Sequence, residues 1–316
     1  MARRLGDPHL LMRMLNARQL SLPQATHPHE LVEIATELVE IASRTRMPEY
    51  ELLGWILLTH HRLQLFDVAG ADEAALRRDA MLERLPLPWP RFQHTMWRAN
   101  RLVLAGCFDD AEALYSEAER QAGRLGMWYA GAVVATGRIL LHYRRGSLTD
   151  AGSPIDSITG IHATMDHDAR ILRRCAQGRV EEAARTVENG WPRPPGDWSW
   201  LTMTCLQGEA RAAVGDLPAC RESYATLLPY GGSIAVGSAI ATAGPVDWFL
   251  ALLASALGEH ESAAGHLLSL ARQADGNGLT AWRDRATAAL SRENGEAGTD
   301  PFPPGAARRV GSPLRR

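Results

Sequence analysis

The sequence predicts an all-α chain, a right-handed superhelical solenoid of about six to eight stacked helix hairpins. Three observations carry that prediction. First, 316 residues with 46% hydrophobic, 22% charged and 6% aromatic side chains have the composition of a folded helical protein, not of a disordered or fibrous one. Second, Gly followed five positions later by Ala or Cys recurs six times: Gly70 with Ala75, Gly106 with Ala111, Gly146 with Ala151, Gly178 with Ala183, Gly215 with Cys220 and Gly258 with Ala263. These glycines stand 36, 40, 32, 37 and 43 residues apart, close to the period of a two-helix repeat with loop insertions. Third, Asp79, Tyr115, Ile155, Val187, Tyr224 and Leu267 lie nine residues after each Gly, and Leu82, Ala118, Ile158, Gly190, Leu227 and Leu270 lie twelve after it. Offsets of 5, 9 and 12 fall at i, i+4 and i+7 of one helix, so they form a single stripe that packs on a neighbour.

Along the chain, the opening MARRLGDPHLLMRMLNAR puts Leu10, Met14 and Ala17 on one apolar stripe with no cap repeat before it. That reads as the middle of an array, hence as a truncated protein or a standalone module. In each hairpin the Gly ends the first helix where a left-handed residue is wanted, and the small residue five later sits where the two helices cross. Ala99, Gly208 and Ala251, seven before their glycines, are the matching small residues on the first helix; Leu63, Ile139 and Ile171 stand there in the other three and imply wider crossings. Between Ile234 and Gly258 the only charge is Asp247, but Gly244 and Pro245 divide the stretch and leave 13 residues to Leu257, short of the ~20 that span a bilayer. Pro245 reads as the N1 residue of a buried helix, and the region from Pro229 to Gly244 as a long irregular connection. Residues 1–290 form the repeat array. Residues 291–316 form a disordered C-terminal tail, because eight of the 26 are Gly or Pro and Phe302 is the one aromatic, and deleting them should leave Tm unchanged.

Composition also limits function. A formal net charge of −2 lacks the basic excess of a general nucleic-acid binder. All 34 cationic side chains are arginine, which excludes a lysine-bearing P-loop and Schiff-base chemistry. Cys107, Cys175, Cys205 and Cys220 show no CxxC pairing and read as reduced core residues of a cytoplasmic protein. Asp7, Pro8 and Arg13 interrupt any export signal.

No catalytic residue, metal or cofactor is expected. Adjacent His60 and His61 point ~100° apart on a helix and cannot share one ion unaided; His27 with His29, and His162 with Asp166 and His167, lack a further ligand nearby. Gly231, Gly232 and Gly237 lack the GxGxxG spacing, and no GxSxG nucleophile elbow occurs. Arg77 with Arg78, Arg144 with Arg145, and Arg173 with Arg174 read as solvated helix faces, since acids are interleaved with them. Arg308 and Arg309 belong to a tail with four Arg and no acid after Asp300, which could touch an acidic surface.

The segments LAGCFDDAEALYSEA (from Leu104) and LGEHESAAGHLLSL (from Leu257) resemble the tetratricopeptide repeat, although the large aromatic expected early in each first helix is mostly missing. WRANRLVLAGCFDDAE (from Trp97), WSWLTMTCLQGEARAAVGD (from Trp198) and LLPYGGSIAVG (from Leu227) resemble the repeat region of actinobacterial signal-transduction ATPases of the MalT-like, LuxR-type class. That resemblance covers roughly residues 5 to 290. It implies a non-enzymatic, effector-sensing or protein-binding module of a transcriptional regulator, here without the ATPase and DNA-binding parts. The alternative is an enzyme with a site assembled in the groove. Membrane association and direct nucleic-acid binding are not expected; self-association into a homo-oligomer stays open. The resemblance further implies that first-helix residues thirteen, ten, six, three and two before the turn Gly face a concave groove. Here those positions include His60, Gln64, Gln93, Asn100, Tyr143, Arg144, Glu209 and Trp248. A protein partner or small-molecule effector is expected against them, and changing Tyr143, Arg144 and Trp248 together to Ala should abolish capture with little loss of fold.

Overall fold

The structure, a computed structural model, describes residues 6–85, 87–127, 129–188, 190–237 and 241–293. Two leading helices, α1 (Pro8–Ser21) and α2 (Pro28–Thr45), precede six pairs: α3 (Pro48–Gln64) with α4 (Val68–Arg84), α5 (Pro88–Ala105) with α6 (Phe108–Leu125), α7 (Ala130–Arg145) with α8 (Gly152–Ser157), α9 (Ala163–Ala176) with α10 (Val180–Arg185), α11 (Trp200–Val214) with α12 (Leu217–Leu227), and α13 (Val246–Ala256) with α14 (His260–Gly276). Strands β1 (Ile234–Gly237) and β2 (Ala241–Pro245) lie between the fifth and sixth pairs, and α15 (Thr280–Glu293) is the last described element. Helix accounts for 77% of the described residues, and the sheet has two strands. The chain is an all-α helical repeat array. No described helix is long and apolar enough to cross a membrane.

Local chemistry starts and stops the helices. Pro8, Pro28, Pro48 and Pro88 are the first residues of α1, α2, α3 and α5, where a missing N–H costs nothing. Asp7, Asp67 and Asp216 cap α1, α4 and α12 by accepting backbone N–H bonds. At the turns, Gly106 N–H donates to Val103 O and Cys107 N–H to Leu102 O, the paired bonds of a Schellman cap. The same pair closes the turns at Gly146, Gly178, Gly215 and Gly258, all with φ between +77° and +84°.

The first hairpin departs from the expected frame. Gly70 lies inside α4, receiving the Asp67 cap, and the left-handed residue is Phe66, at φ 65°. Phe66 N–H bonds Leu63 O, and Asp67 N–H bonds Arg62 O. Counted from Phe66, offsets of 5, 9 and 12 fall on Ala71, Ala75 and Arg78, all buried. The frame of this hairpin lies four residues earlier than Gly70 implies, so Asp79 is exposed and outside the apolar stripe. Arg78 is thereby a core residue, not part of a solvated face: its Nη2 lies 3.0 Å from His94 Nδ1, and its guanidinium is 5.9 Å from the Trp97 ring. Burial brings its pKa down to about 10.

The other stripes pack as their offsets require: Tyr115, Ala118, Ile155, Ile158, Leu227, Leu267 and Leu270 are buried. Two pairs depart: Tyr224 of the fifth pair is only partly buried, its Oη 3.0 Å from His266 Nε2, and in the fourth pair α10 stops at Arg185 and leaves Val187 only partly buried and Gly190 exposed. Gly208 meets Leu253 and Ser223, as a helix crossing demands. Cys175, Cys205 and Cys220 are buried, whereas Cys107, at the start of α6, is exposed and not a core residue. Helix α15 runs three residues past the expected end of the array at 290; residues 294–316 of the expected tail lie outside the described residues.

The irregular connection expected between Pro229 and Gly244 is instead a buried hairpin. Ile234 pairs with Pro245, Ala235 with Gly244, Val236 with Thr242 and Gly237 with Ala241, with a bulge between Ala235 and Val236. The described residues of both strands are buried. Its interior polar groups are paired: Thr242 Oγ1 donates to Ala235 O at 2.9 Å and accepts from Gly244 N at 3.1 Å. β1 lies against α3 and α11, and β2 against α5, α7, α11 and α13. Five of the six first helices therefore touch this hairpin, and α15 reaches back to α5. The wall expected to be an open concave groove is filled by the chain itself.

Candidate functional site

Of the eight residues expected on that wall, His60, Gln64, Asn100, Tyr143, Arg144, Glu209 and Trp248 are buried, and Gln93 is half-buried. Several of them do converge. Tyr143 Oη donates to Glu209 Oε2 in a short contact, and the Tyr143 ring stacks 6.5 Å from Phe249. The Arg144 guanidinium sits 3.4 Å from the Trp282 ring centroid, and that of Arg285 lies 4.2 Å from Trp248 and 5.8 Å from Trp282. Indole faces thus stabilise two cations beside a single carboxylate. Burial dominates the electrostatics: it pushes Glu209 up to about 7 against the pull of Tyr143, Arg285 and Arg144, and it lowers both guanidinium pKa values. Arg144 is a core residue, contrary to its reading as half of a solvated pair. With Tyr143, Arg144 and Trp248 all buried, their joint truncation removes core, so the expectation that the fold would survive it is also corrected.

His60, although only 5% exposed, and half-buried Gln93 border open space. They line a cleft of about 400 Å³ at the N-terminal end of the array. One wall is α3, where Glu49, Leu52, Leu53, Ile56, Leu57 and His60 recur at spacings of three and four and so share a face. Leu87, Trp89, Pro90 and Gln93 supply a second wall from the start of α5. The third side comes from Asn16, Gln19, Leu20 and Gln24, in α1 and the loop after it, together with Trp198 ahead of α11.

Interior contacts hold these walls. Gln64 Nε2 donates to Gln24 O at 3.1 Å, pinning the loop after α1 to α3. Gln207 Nε2 donates to Pro192 O at 2.8 Å, and Trp191 Nε1 to Asp216 Oδ2 at 2.9 Å, fixing the segment that carries Trp198. Leu20, Gln24 and Trp198 also line a neighbouring cleft of about 460 Å³. Leu20 is 71% exposed and Trp198 42%. A more polar cleft of about 560 Å³ beside the short α8 contains Arg138, but Arg138 is already bonded to Glu112 and Glu119, each at 2.9 Å.

Beneath the first cleft, burial pushes the His60 pKa down to about 4, and burial followed by repulsion from His60 lowers His61 as well. Both imidazoles are neutral near pH 7, whereas an unfolded histidine titrates near 6.5. Their share of stability is full above pH ~6.5 and is lost as the pH falls toward 4. For His60 that loss is about 3 kcal/mol at ~1.4 kcal/mol per unit. Glu209 acts oppositely, with its share full below the unfolded value near 4.5 and lost as the pH rises through 7. The Tm of His61→Leu should therefore fall less than that of wild type between pH 6.5 and 4.5. Parallel Tm profiles would show that His61 is not held neutral.

Among the described residues no cluster of three or more His, Cys, Asp or Glu is placed to hold a metal. Asp166 binds Arg170, and His167 pairs with Asp168. Sequence reasoning missed Trp282 and Arg285, because α15 follows the last turn Gly of the repeat pattern. It also missed the cleft, whose walls come from segments far apart in the chain. The one local signal was Trp198, a tryptophan just ahead of a helix with no place in the stripe. Neither a scan against protein-family models nor a comparison with curated proteins finds a match.

Proposed function

We propose that the chain is a non-enzymatic, tetratricopeptide-like binding module of a transcriptional regulator, acting in the cytoplasm, that senses an effector in the cleft between α1, α3, α5 and Trp198. One observation carries this reading: the first-helix wall is covered by the chain's own β-hairpin, while the cleft keeps Trp198 and Leu20 in solvent. Exposed apolar side chains gathered around a concavity mark binding sites in folded proteins, and about 400 Å³ suits a small molecule. The regulatory setting rests on the resemblance of the Trp97, Trp198 and Leu227 segments. Glu209 beside Tyr143 gives the enzyme reading its best group, but neither residue lines this cleft.

The test is a thermal-shift screen of a metabolite library on wild type and on a Leu20→Ser/Trp198→Ala variant. Both changes fall on exposed side chains, so basal Tm should be the same. Compounds that raise the wild-type Tm by several degrees should lose that effect in the variant. Hits that act equally on both proteins would move the site elsewhere.

A further inference from the structure

We infer that the groove formed by the two adjoining clefts is the docking site of the chain's own proline-rich segment, Pro301, Phe302, Pro303 and Pro304, seated as extended polyproline II. The inference goes beyond the sensing reading and rests on it for one consequence alone, that an effector and this segment compete for the cleft. Three observations carry it.

The first is relief. The clefts of about 400 and 460 Å³ share Leu20, Gln24 and Trp198, so the exposed Leu20 and Trp198 stand where the two hollows meet. Trp89 lines the hollow on the α3 side. Trp200 and Tyr230 line the other, with ring centroids 5.3 Å apart and edge to face. Polyproline II has three residues per turn, so residues i and i+3 project to one side about 9 Å apart. Pro301 and Pro304 stand in that relation. Aromatic-lined grooves take such proline pairs, because the preformed extended helix loses little entropy on docking.

The second is reach. The last described residue, Glu293, bonds Ser255 Oγ at 2.5 Å and His260 Nδ1 at 2.8 Å, at the C-terminal end of α13. At the other end of that helix Asp247 accepts from Gly232 N–H at 2.5 Å, two residues from Tyr230. Glu293 and Tyr230 thus lie about one length of α13 apart, and its 11 residues measure about 16 Å. Pro301 follows Glu293 by eight residues, which span up to about 26 Å when extended. The chain can therefore bring Pro301 to the Trp200 and Tyr230 hollow over the surface, with Pro304 directed toward Trp198.

The third is charge. Among the residues lining the two clefts the formal charges are Glu49 and Asp197, and none is arginine. After Asp300 the chain carries Arg308, Arg309, Arg315 and Arg316 and no acid. A segment running from the Tyr230 hollow to the α3 hollow puts Arg308 and Arg309 on the Glu49 side, where opposite charge fixes the direction of docking. The Gly and Pro content that denies this segment a core of its own suits the mode, since polyproline II has no internal hydrogen bonds to satisfy.

Competition by a fluorescein-labelled peptide of residues 299–310, read by anisotropy, tests the docking on the full chain. In the Pro301→Ala/Phe302→Ala/Pro304→Ala variant the groove is free of its own segment, and the peptide should bind with a Kd of about 100 µM or tighter. Wild type should bind it about tenfold or more weakly, because a tethered segment competes at an effective concentration in the millimolar range. Tenfold occupancy is worth about 1.4 kcal/mol, so Tm reports on it only weakly. Adding Leu20→Ser/Trp198→Ala to the tail variant should abolish binding, and so should Pro301→Ala/Pro304→Ala within the peptide. Equal affinity in wild type and tail variant would overturn the inference and leave the groove to a partner's segment. So would absence of binding to the tail variant up to roughly 1 mM, or binding undiminished by Leu20→Ser/Trp198→Ala. Dimers of wild type in light scattering that the tail variant lacks would also overturn it, by assigning the groove to the segment of a second copy. If library hits lose their effect in Leu20→Ser/Trp198→Ala while the peptide fails to bind, the sensing reading stands and the docking falls. If the peptide competes as expected while no hit depends on Trp198, the docking stands and the sensing reading fails.

Discussion

The Tyr143→Ala/Arg144→Ala/Trp248→Ala variant should be largely unfolded at 25 °C. Trp248 is wholly buried, with Arg285 4.2 Å above its ring and Trp282 6.0 Å away edge-on. Truncating a buried Trp or Phe costs about 3–5 kcal/mol. Tyr143→Ala adds a comparable cavity and strips Glu209 of the hydroxyl that donates to it, leaving a buried carboxyl short of a partner. Arg144→Ala removes the guanidinium 3.4 Å from Trp282 along with the packing of its stem. The sum approaches or exceeds the roughly 5–15 kcal/mol that holds a typical domain together. Far-UV circular dichroism should show loss of most helix, or urea titration a midpoint near zero. Native ellipticity with an unchanged midpoint would mean that these side chains lie outside the core.

The second large effect is expected from a single methyl group. Gly244 lies against the six-membered ring of Trp282, and an added Cβ would lie 2.2 Å from Cζ2 and 2.5 Å from Cη2 of that ring. Its φ of +114° is also a region that L side chains rarely adopt. Trp282 is wholly buried and rigid, so it cannot swing away as a flexible side chain would. Gly244→Ala should lower stability by about 3 kcal/mol or more, seen as a drop in the urea midpoint. In a Trp282→Leu background, itself destabilised, the added cost of Gly244→Ala should shrink to the backbone strain. An unaltered midpoint for Gly244→Ala would show that the hairpin is not pressed against α15.

These two effects fall where sequence reasoning stopped. Helical period and turn chemistry were legible because they are local: five turn glycines and the stripes through Tyr115, Ile155 and Leu267 sit as their spacing demands. Gly70 misled because Phe66, a residue that rarely tolerates positive φ, took the left-handed position four residues earlier. The hairpin was illegible for a different reason. Its strands read IAVG and ATAGP, and both faces are buried, so no alternation of apolar and polar residues betrays a strand.

For the candidate site, the offsets picked out Tyr143, Arg144, Glu209 and Trp248, which do share one interior. They could not reveal that a later segment fills the space in front of them. The cleft joins residues near 20, 60, 90 and 198, and no short-range pattern reports such a meeting. His61 shows the limit well. Its position on α3 was plain, but the burial of both its ring nitrogens without a hydrogen-bond partner among the described residues depends on segments far along the chain.

Amide hydrogen exchange at residues 234–237 and 241–244 tests the central claim, that the chain's own hairpin covers the first-helix wall and leaves the N-terminal cleft as the open surface. If the hairpin covers that wall, its hydrogen-bonded amides exchange as slowly as those of α11 and α13, through global unfolding alone. Exchange at the rate of a solvated loop, with α11 and α13 still protected, would contradict it and return the inner wall to solvent.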